Sequence, residues 1–295
     1  MTATTTRKRR LGDRYDGRLI RTLDPLTMMV PFIMRTRGDA QNFFEDRVEI
    51  SHAERWLREQ RDKGIGDIGI LHVIMAACVR AFALRPRVNR FVKNGRIYAR
   101  NDLTVSLAIK KTIDEDGIET TLKLRFDRND TIWDVRDKLN AAVMENKKLE
   151  ATNSTDRLAG FFVRLPPFIL KGLVSFLWFL DDHGWLPKAI HAASPFHTSL
   201  FITDLGSVGI QSIYHHLYEF GTTSLFLAFG SKSHEKDIAE DGTVKTRKHL
   251  TLRVNTDERI VDGFYYASAF RLLKRLVTHP ELLETAPESL PEDID

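Results

Sequence analysis

Apolar positions along this chain recur with two periods, and each period predicts an element. Leu103, Val105, Leu107 and Ile109 alternate with polar or small residues, as do Leu122, Leu124 and Phe126. Two-residue alternation is the mark of a half-buried strand, and Asp114-Glu115-Asp116-Gly117 between the two runs predicts a hairpin turn. Ile132, Val135, Leu139 and Val143 fall on one helical stripe, predicting a helix over 131–148. Residues 51–61 predict another, with Ser51 as N-cap and Glu54 three residues on in a capping-box pattern. Residues 69–84 are nearly continuously apolar, which predicts a buried helix that Arg85-Pro86 ends. In the last third, 199–203 and 222–229 read as core strands and Asp241-Gly242 as a turn, and 248–254 alternates through Leu250, Leu252 and Val254. A final helix is expected to begin near Asp262, to turn Ala267, Phe270, Leu273 and Leu276 toward the core, and to stop at Pro280. Strands and helices interleaved in this way predict one α/β layer structure.

One stretch departs from both patterns. Leu165 to Leu180 (LPPFILKGLVSFLWFL) is sixteen residues long and is interrupted by Pro166-Pro167, Lys171 and Gly172. A bilayer span needs about twenty apolar residues, so this reads as one or two buried or interfacial helices. No apolar stretch follows Met1, so no signal peptide and a cytoplasmic location are expected. The 295 residues are 42% hydrophobic and 28% charged, which excludes a disordered or fibrous chain. The single cysteine, Cys78, excludes an intrachain disulfide framework and a cysteine zinc site, and its apolar surroundings predict burial. The net charge of +4 is unevenly spread. Residues 1–19 form an arm carrying Arg7-Lys8-Arg9-Arg10, residues 283–295 an acidic tail, and 20–282 the main domain, with an apolar insertion at about 161–190. No nucleic-acid motif accompanies the basic run, so no nucleic-acid partner is expected.

Chemistry becomes specific in Glu240 to Phe270. An acidic-Gly turn and a strand lead into Asp257-Glu258-Arg259-Ile260-Val261-Asp262-Gly263 and a helix. This resembles the C-terminal signature of the catalytic cores of 2-oxoacid dehydrogenase dihydrolipoyl acyltransferases, Asp-His-Arg-x-x-Asp-Gly, which chloramphenicol acetyltransferase shares as His-x-x-x-Asp-Gly. Phe201-Ile202-Thr203-Asp204-Leu205-Gly206 is similar to the family's Ile-Ser/Thr-Asn-Leu-Gly, Arg85-Pro86-Arg87-Val88-Asn89 to its Pro-x-x-Asn, and Asp24 to Phe44, more loosely, to its opening helix. The resemblance covers roughly residues 20 to 280. It implies a two-layer chloramphenicol acetyltransferase-like α/β fold, a mixed sheet with helices packed on one face. It also implies a homotrimer with sites in channels between subunits, and a coenzyme A thioester as co-substrate for acyl transfer to a small-molecule acceptor. There is no room for lipoyl modules, so a free-standing core with no lipoyl group and no metal is expected.

In the family the motif histidine deprotonates the nucleophile, which attacks the thioester directly, while a serine or threonine hydroxyl stabilises the oxyanion. By that resemblance Thr203 is the oxyanion donor, and Asp262 orients the motif through an ionic contact; from its local setting Asp262 reads as an N-cap. Glu258 holds the histidine's place. An ordinary glutamate is a weaker proton acceptor than histidine by about 2.2 pKa units, or roughly 3 kcal/mol, and burial between subunits could restore part of that. Three readings follow: Glu258 is the base; another residue is, with His216 and its neighbour His215 the candidates on the connection after Thr203; or the chain is a degenerate trimeric scaffold that binds an acyl ligand or a partner. His215, His216 and Glu219 lack a typical metal-ligand set. The insertion at 161–190 reads as core or trimer packing, as a wall for a long acyl chain, or as an interfacial membrane contact.

Overall fold

The computed structural model describes residues 8–110, 119–148, 160, 162, 164–238 and 240–295. In chain order the elements are β1 (Gly17–Leu19), α1 (Pro25–Ile33), β2 (Gln41–Glu49), α2 (Ser51–Asp62), α3 (Ile70–Leu84), β3 (Arg90–Lys93), β4 (Arg96–Arg100), β5 (Leu103–Lys110), β6 (Glu119–Phe126) and α4 (Ile132–Lys148). There follow α5 (Pro167–Asp182), α6 (Lys188–Ala193), β7 (Leu200–Asp204), β8 (Leu225–Phe229), β9 (Ser233–Ile238), β10 (Val244–Asp257) and α7 (Gly263–Thr278).

The main sheet runs β2-β10-β8-β7-β5-β6, and β9 also pairs with β10. Strand β7 is parallel to β5 and β8, and the other pairs are antiparallel. A small antiparallel sheet, β1-β4-β3, stands apart. Alternation sorts the two faces of the main sheet. Leu200, Ile202, Leu225, Leu227, Leu252 and Val254 join α3, α4 and α7 in one core, while Phe201 and Phe226 face the other way. Eleven of the fifteen residues of α3 are buried, as its continuous apolar run predicts, and burial pushes the Cys78 thiol up to about 12.

Several expectations need correction. The stretch 24–44 is not one helix: α1 ends at Ile33, Thr36 and Arg37 to Ala40 turn the chain, and β2 begins at Gln41, because its alternating residues pair with β10 along nine positions. Ser51 is the first helical residue rather than the cap; its hydroxyl accepts from the Lys248 peptide, and Glu54 is drawn to Lys232. The reciprocal cap is on α4 instead, where Thr131 and Asp134 bond each other's peptides. The buried stripe of α7 is Tyr266, Ala269, Leu273, Leu276 and Val277, so Ala267 and Phe270 lie at its margin. The hairpin turn at 114–117 lies outside the described residues. On α5 only Leu177 and Asp181 are buried, so this apolar helix is not a core element of the chain. Among the described residues no helix is long and apolar enough to cross a membrane. The acidic tail docks on the body: Asp293 takes a bidentate bond from Arg90, and Asp295 pairs with Arg10 and Arg18.

Candidate active site

The motif sits where β10 leaves the sheet. Asp257 is fully buried, and a buried carboxylate must be paired. Arg259, two residues on, supplies both bonds, Nε to Oδ1 at 2.8 Å and the terminal nitrogen to Oδ2 at 2.7 Å. Arg37 approaches from the other side at 4.0 Å, its own pKa lowered by burial. The two guanidiniums also donate to main-chain carbonyls, Arg259 to Met34 and Arg35, Arg37 to Glu219 and Gly221. The phenol of Tyr266 donates to the Asp257 carbonyl at 2.8 Å. The result is a rigid buried platform.

Glu258 projects from that platform and is half-buried. Its peptide N–H donates to Ala40, and its Oε2 accepts from the side-chain amide of Asn42 on β2 at 2.6 Å. Among the described residues no arginine pairs with it, because Asp257 holds Arg259 and Arg37. Asp262 is exposed and accepts the Tyr265 peptide N–H at 2.8 Å, capping α7. Among the described residues of one chain, Asp262 does not make the ionic contact that the resemblance implies.

Thr203 lies on the sheet face away from α3 and α7, 8% exposed. Its lateral neighbours are Ala108 and Ala228, so small side chains flank the hydroxyl. Among the described residues nothing bonds to that hydroxyl. Over this face runs the irregular connection 205–224, which buries its own Leu217 and Ser212. Gly221, at φ +90°, lets it pass Phe196, where a Cβ would strike the Phe196 carbonyl. His215 stacks on Phe226 at 4.3 Å between centroids, its buried Nε2 has no partner among the described residues, and its pKa is lowered by burial and by neighbouring His216. His216 is exposed, edge-on to Tyr218. Of the two, His215 is the one turned toward the sheet.

The register measures how far apart the two motifs stand. Thr203 aligns with Ala228 and through it with Arg253, two strands away. Glu258 is five residues beyond Arg253, so the two Cα positions are about 10 Å apart across the sheet and about 16 Å along it, about 19 Å in all. One chain does not bring them together.

No protein-family model and no curated protein matches this sequence. Solved structures do match the fold. A probable dihydrolipoamide acetyltransferase from Listeria monocytogenes superposes with a TM-score of 0.57 at 11% identity, covering 91% of this chain and 97% of its own. The dihydrolipoamide acetyltransferase of Azotobacter vinelandii gives 0.56 at 12% identity, covering 88% and 93%, and a chloramphenicol acetyltransferase 0.54 at 13%, covering 88% and 100%. The chain has the chloramphenicol acetyltransferase-like fold. Identity this low speaks for the fold alone.

Within that fold, the sequence motifs mark Thr203, Glu258 and Asp262 but not their supports. Asn42 lies far from the motif in sequence, and only strand pairing with β10 brings it to Glu258. A second buried polar cluster also went unmarked. Asp181, at the end of α5, is fully buried between Arg14, at 3.0 Å, Lys93, at 2.8 Å, and His197 Nε2, at 3.2 Å. His215, His216 and Glu219 do not form a metal cluster; Glu219 accepts from the Gly38 peptide instead. Among the described residues the group whose ligand atoms converge is His52, His279 and Glu281, in which each imidazole is 3.0 Å from a carboxylate oxygen.

Proposed function

We propose that this chain is a free-standing homotrimeric acyltransferase that moves an acyl group from a coenzyme A thioester to a small-molecule acceptor. Glu258 of one protomer takes the acceptor's proton, and the freed nucleophile attacks the thioester carbonyl. Thr203 of the neighbouring protomer donates to the oxyanion that forms. Collapse of the tetrahedral intermediate breaks the carbon–sulfur bond, and the coenzyme A thiolate leaves and takes up the proton. The observation that carries this reading is the setting of Glu258: its partner is a neutral amide, while Arg259 is held by Asp257 and Arg37 by main-chain carbonyls. A carboxylate base suits a thiol acceptor, with an ordinary pKa of about 8.5, better than an alcohol.

The test is thiol release from a panel of acyl-coenzyme A donors in the presence of thiol and alcohol acceptors. Glu258→Gln and Thr203→Ala are each expected to lower turnover about a hundredfold. His215→Gln is the control for the rival base, because its buried ring nitrogen has no partner among the described residues. Loss of turnover in that variant with Glu258→Gln unaffected assigns the base to His215. No turnover by the wild type with any donor leaves a trimeric binding scaffold as the function.

A further inference from the structure

The helix α5 is built the wrong way round for a core element. Its apolar side chains point outward: Phe168 is 77% exposed, Phe176 54% and Trp185, just beyond its end, 64%, with Ile169, Val174 and Phe179 exposed beside them. Of its two acids one is withdrawn from that surface and the other, its side chain 40% exposed, is paired. Asp181 is buried against Arg14 and Lys93, and Asp182 pairs with Lys93 at 3.0 Å. What remains exposed around the helix is cationic: Arg164 before it, Lys171 within it and Lys188 after it. A further basic group joins at its C-terminal end. Arg14 lies against Gly184, where a Cβ would be 3.1 Å from the Arg14 side chain, and the exposed Lys8 and Arg9 stand a few residues before it, Arg10 being paired with Asp295.

We infer that α5 and the basic arm dock the protein on an anionic lipid bilayer, with the helix lying flat in the interface. Sixteen residues make about 24 Å of helix, too short to span a bilayer but enough to lie along one. Phenylalanine and tryptophan on one side with lysine and arginine around them is the composition that settles at the headgroup boundary. The charge also argues against a two-fold contact between two copies of this face, which would set like charges against each other; a head-to-tail contact in a trimer, which sets this face against a different surface, is what the oligomer measurement below decides. The buried Asp181 cluster holds the helix to the body, so the face is presented rigidly. This inference stands apart from the proposed catalysis and does not depend on it.

Sedimentation of the full chain with vesicles tests it. With vesicles containing phosphatidylglycerol the protein is expected in the pellet, far less so with phosphatidylcholine alone, and raised salt should release it. The double variant Phe168→Asp/Phe176→Asp should lower the partition coefficient at least about tenfold, and Lys8→Glu/Arg9→Glu should lower it too. Quenching of Trp185 by brominated acyl chains checks the orientation without altering α5, and Trp185→Phe should remove that quenching. Wild-type protein left in the supernatant with phosphatidylglycerol vesicles overturns the inference, as does unaltered binding by the double aspartate variant. If instead that variant dissociates an oligomer while no vesicles are bound, a second copy covers this helix and the membrane role is excluded.

Discussion

Asp257 and Arg259 are both buried, and neither tolerates loss of the other. Arg259→Met leaves the Asp257 carboxylate with Arg37 alone, 4.0 Å away, and is expected to cost about 3–5 kcal/mol of stability by urea denaturation. The paired replacement Asp257→Leu/Arg259→Met is not expected to recover that loss, because it leaves the buried Arg37 guanidinium without its carboxylate. His197 gives a second residue-level prediction. Burial pushes its pKa down to about 4, against the pull of Asp181, from an ordinary value of 6.5. Between those values the unfolded chain binds the extra proton, so stability rises with pH across 4 to 6.5 and falls on acidification. The shift corresponds to up to about 3 kcal/mol. His72 and His215, also lowered by burial, add in the same direction. Chemical denaturation at pH 4.5 and 7 should show this slope, and His197→Gln should flatten it; an unchanged slope in that variant would remove His197 as its source. No motif marks His197 in the sequence, since its burial depends on Asp181, on which Arg14 and Lys93 converge from distant segments.

At the level of elements, the legible parts are those whose periodicity and packing agree. Helices α3 and α4, the β5–β6 pair, and strands β7, β8 and β10 lie where alternation or helical stripes put them. The small sheet β1-β4-β3 and strand β2 were hidden. Their segments are short or charged, and their order comes from partners: β2 from nine paired positions on β10, β1 from three on β4. The apolar run of α5 gave the helix but not its exposure, because a continuous apolar stretch has the same pattern whether it meets a core, another subunit or lipid. The connection 205–224 is held by the shapes of two glycines rather than by a pattern. Gly221→Ala has to relieve both a positive φ and a collision with Phe196, and Gly230 sits so near Gln211 and Ser212 that a Cβ would meet their backbone. Gly221→Ala is therefore expected to destabilise by more than the 1 kcal/mol or so typical of a helical glycine exchange, and to raise hydrogen exchange in 205–224. If exchange there matches the wild type, Gly221 does not hold the cover.

For the whole molecule, the question is whether Thr203 and Glu258 act together, given about 19 Å between them in one chain. A site built from both then requires a second copy, and this has a consequence that single variants do not show. Thr203→Ala subunits keep Glu258, and Glu258→Gln subunits keep Thr203. If each site takes Thr203 from one protomer and Glu258 from the next, subunits mixed at random in equal amounts place both intact residues at about a quarter of the sites. Isolation of the doubly tagged oligomer removes the homotrimers, and each mixed trimer has one intact site in three, so co-expression of the two variants with different tags should restore activity toward a third of the wild-type rate, from two parents that are each nearly inactive. A site completed within one chain would restore none, since every chain in the mixture carries one lesion. Activity well above a third would mean that one of the two substitutions is not disabling. Measurement of the oligomer mass alongside fixes the stoichiometry that the fraction assumes. The same mixture separates the two candidate bases: if His215 rather than Glu258 is the proton acceptor, the Glu258→Gln parent is already active and mixing adds nothing.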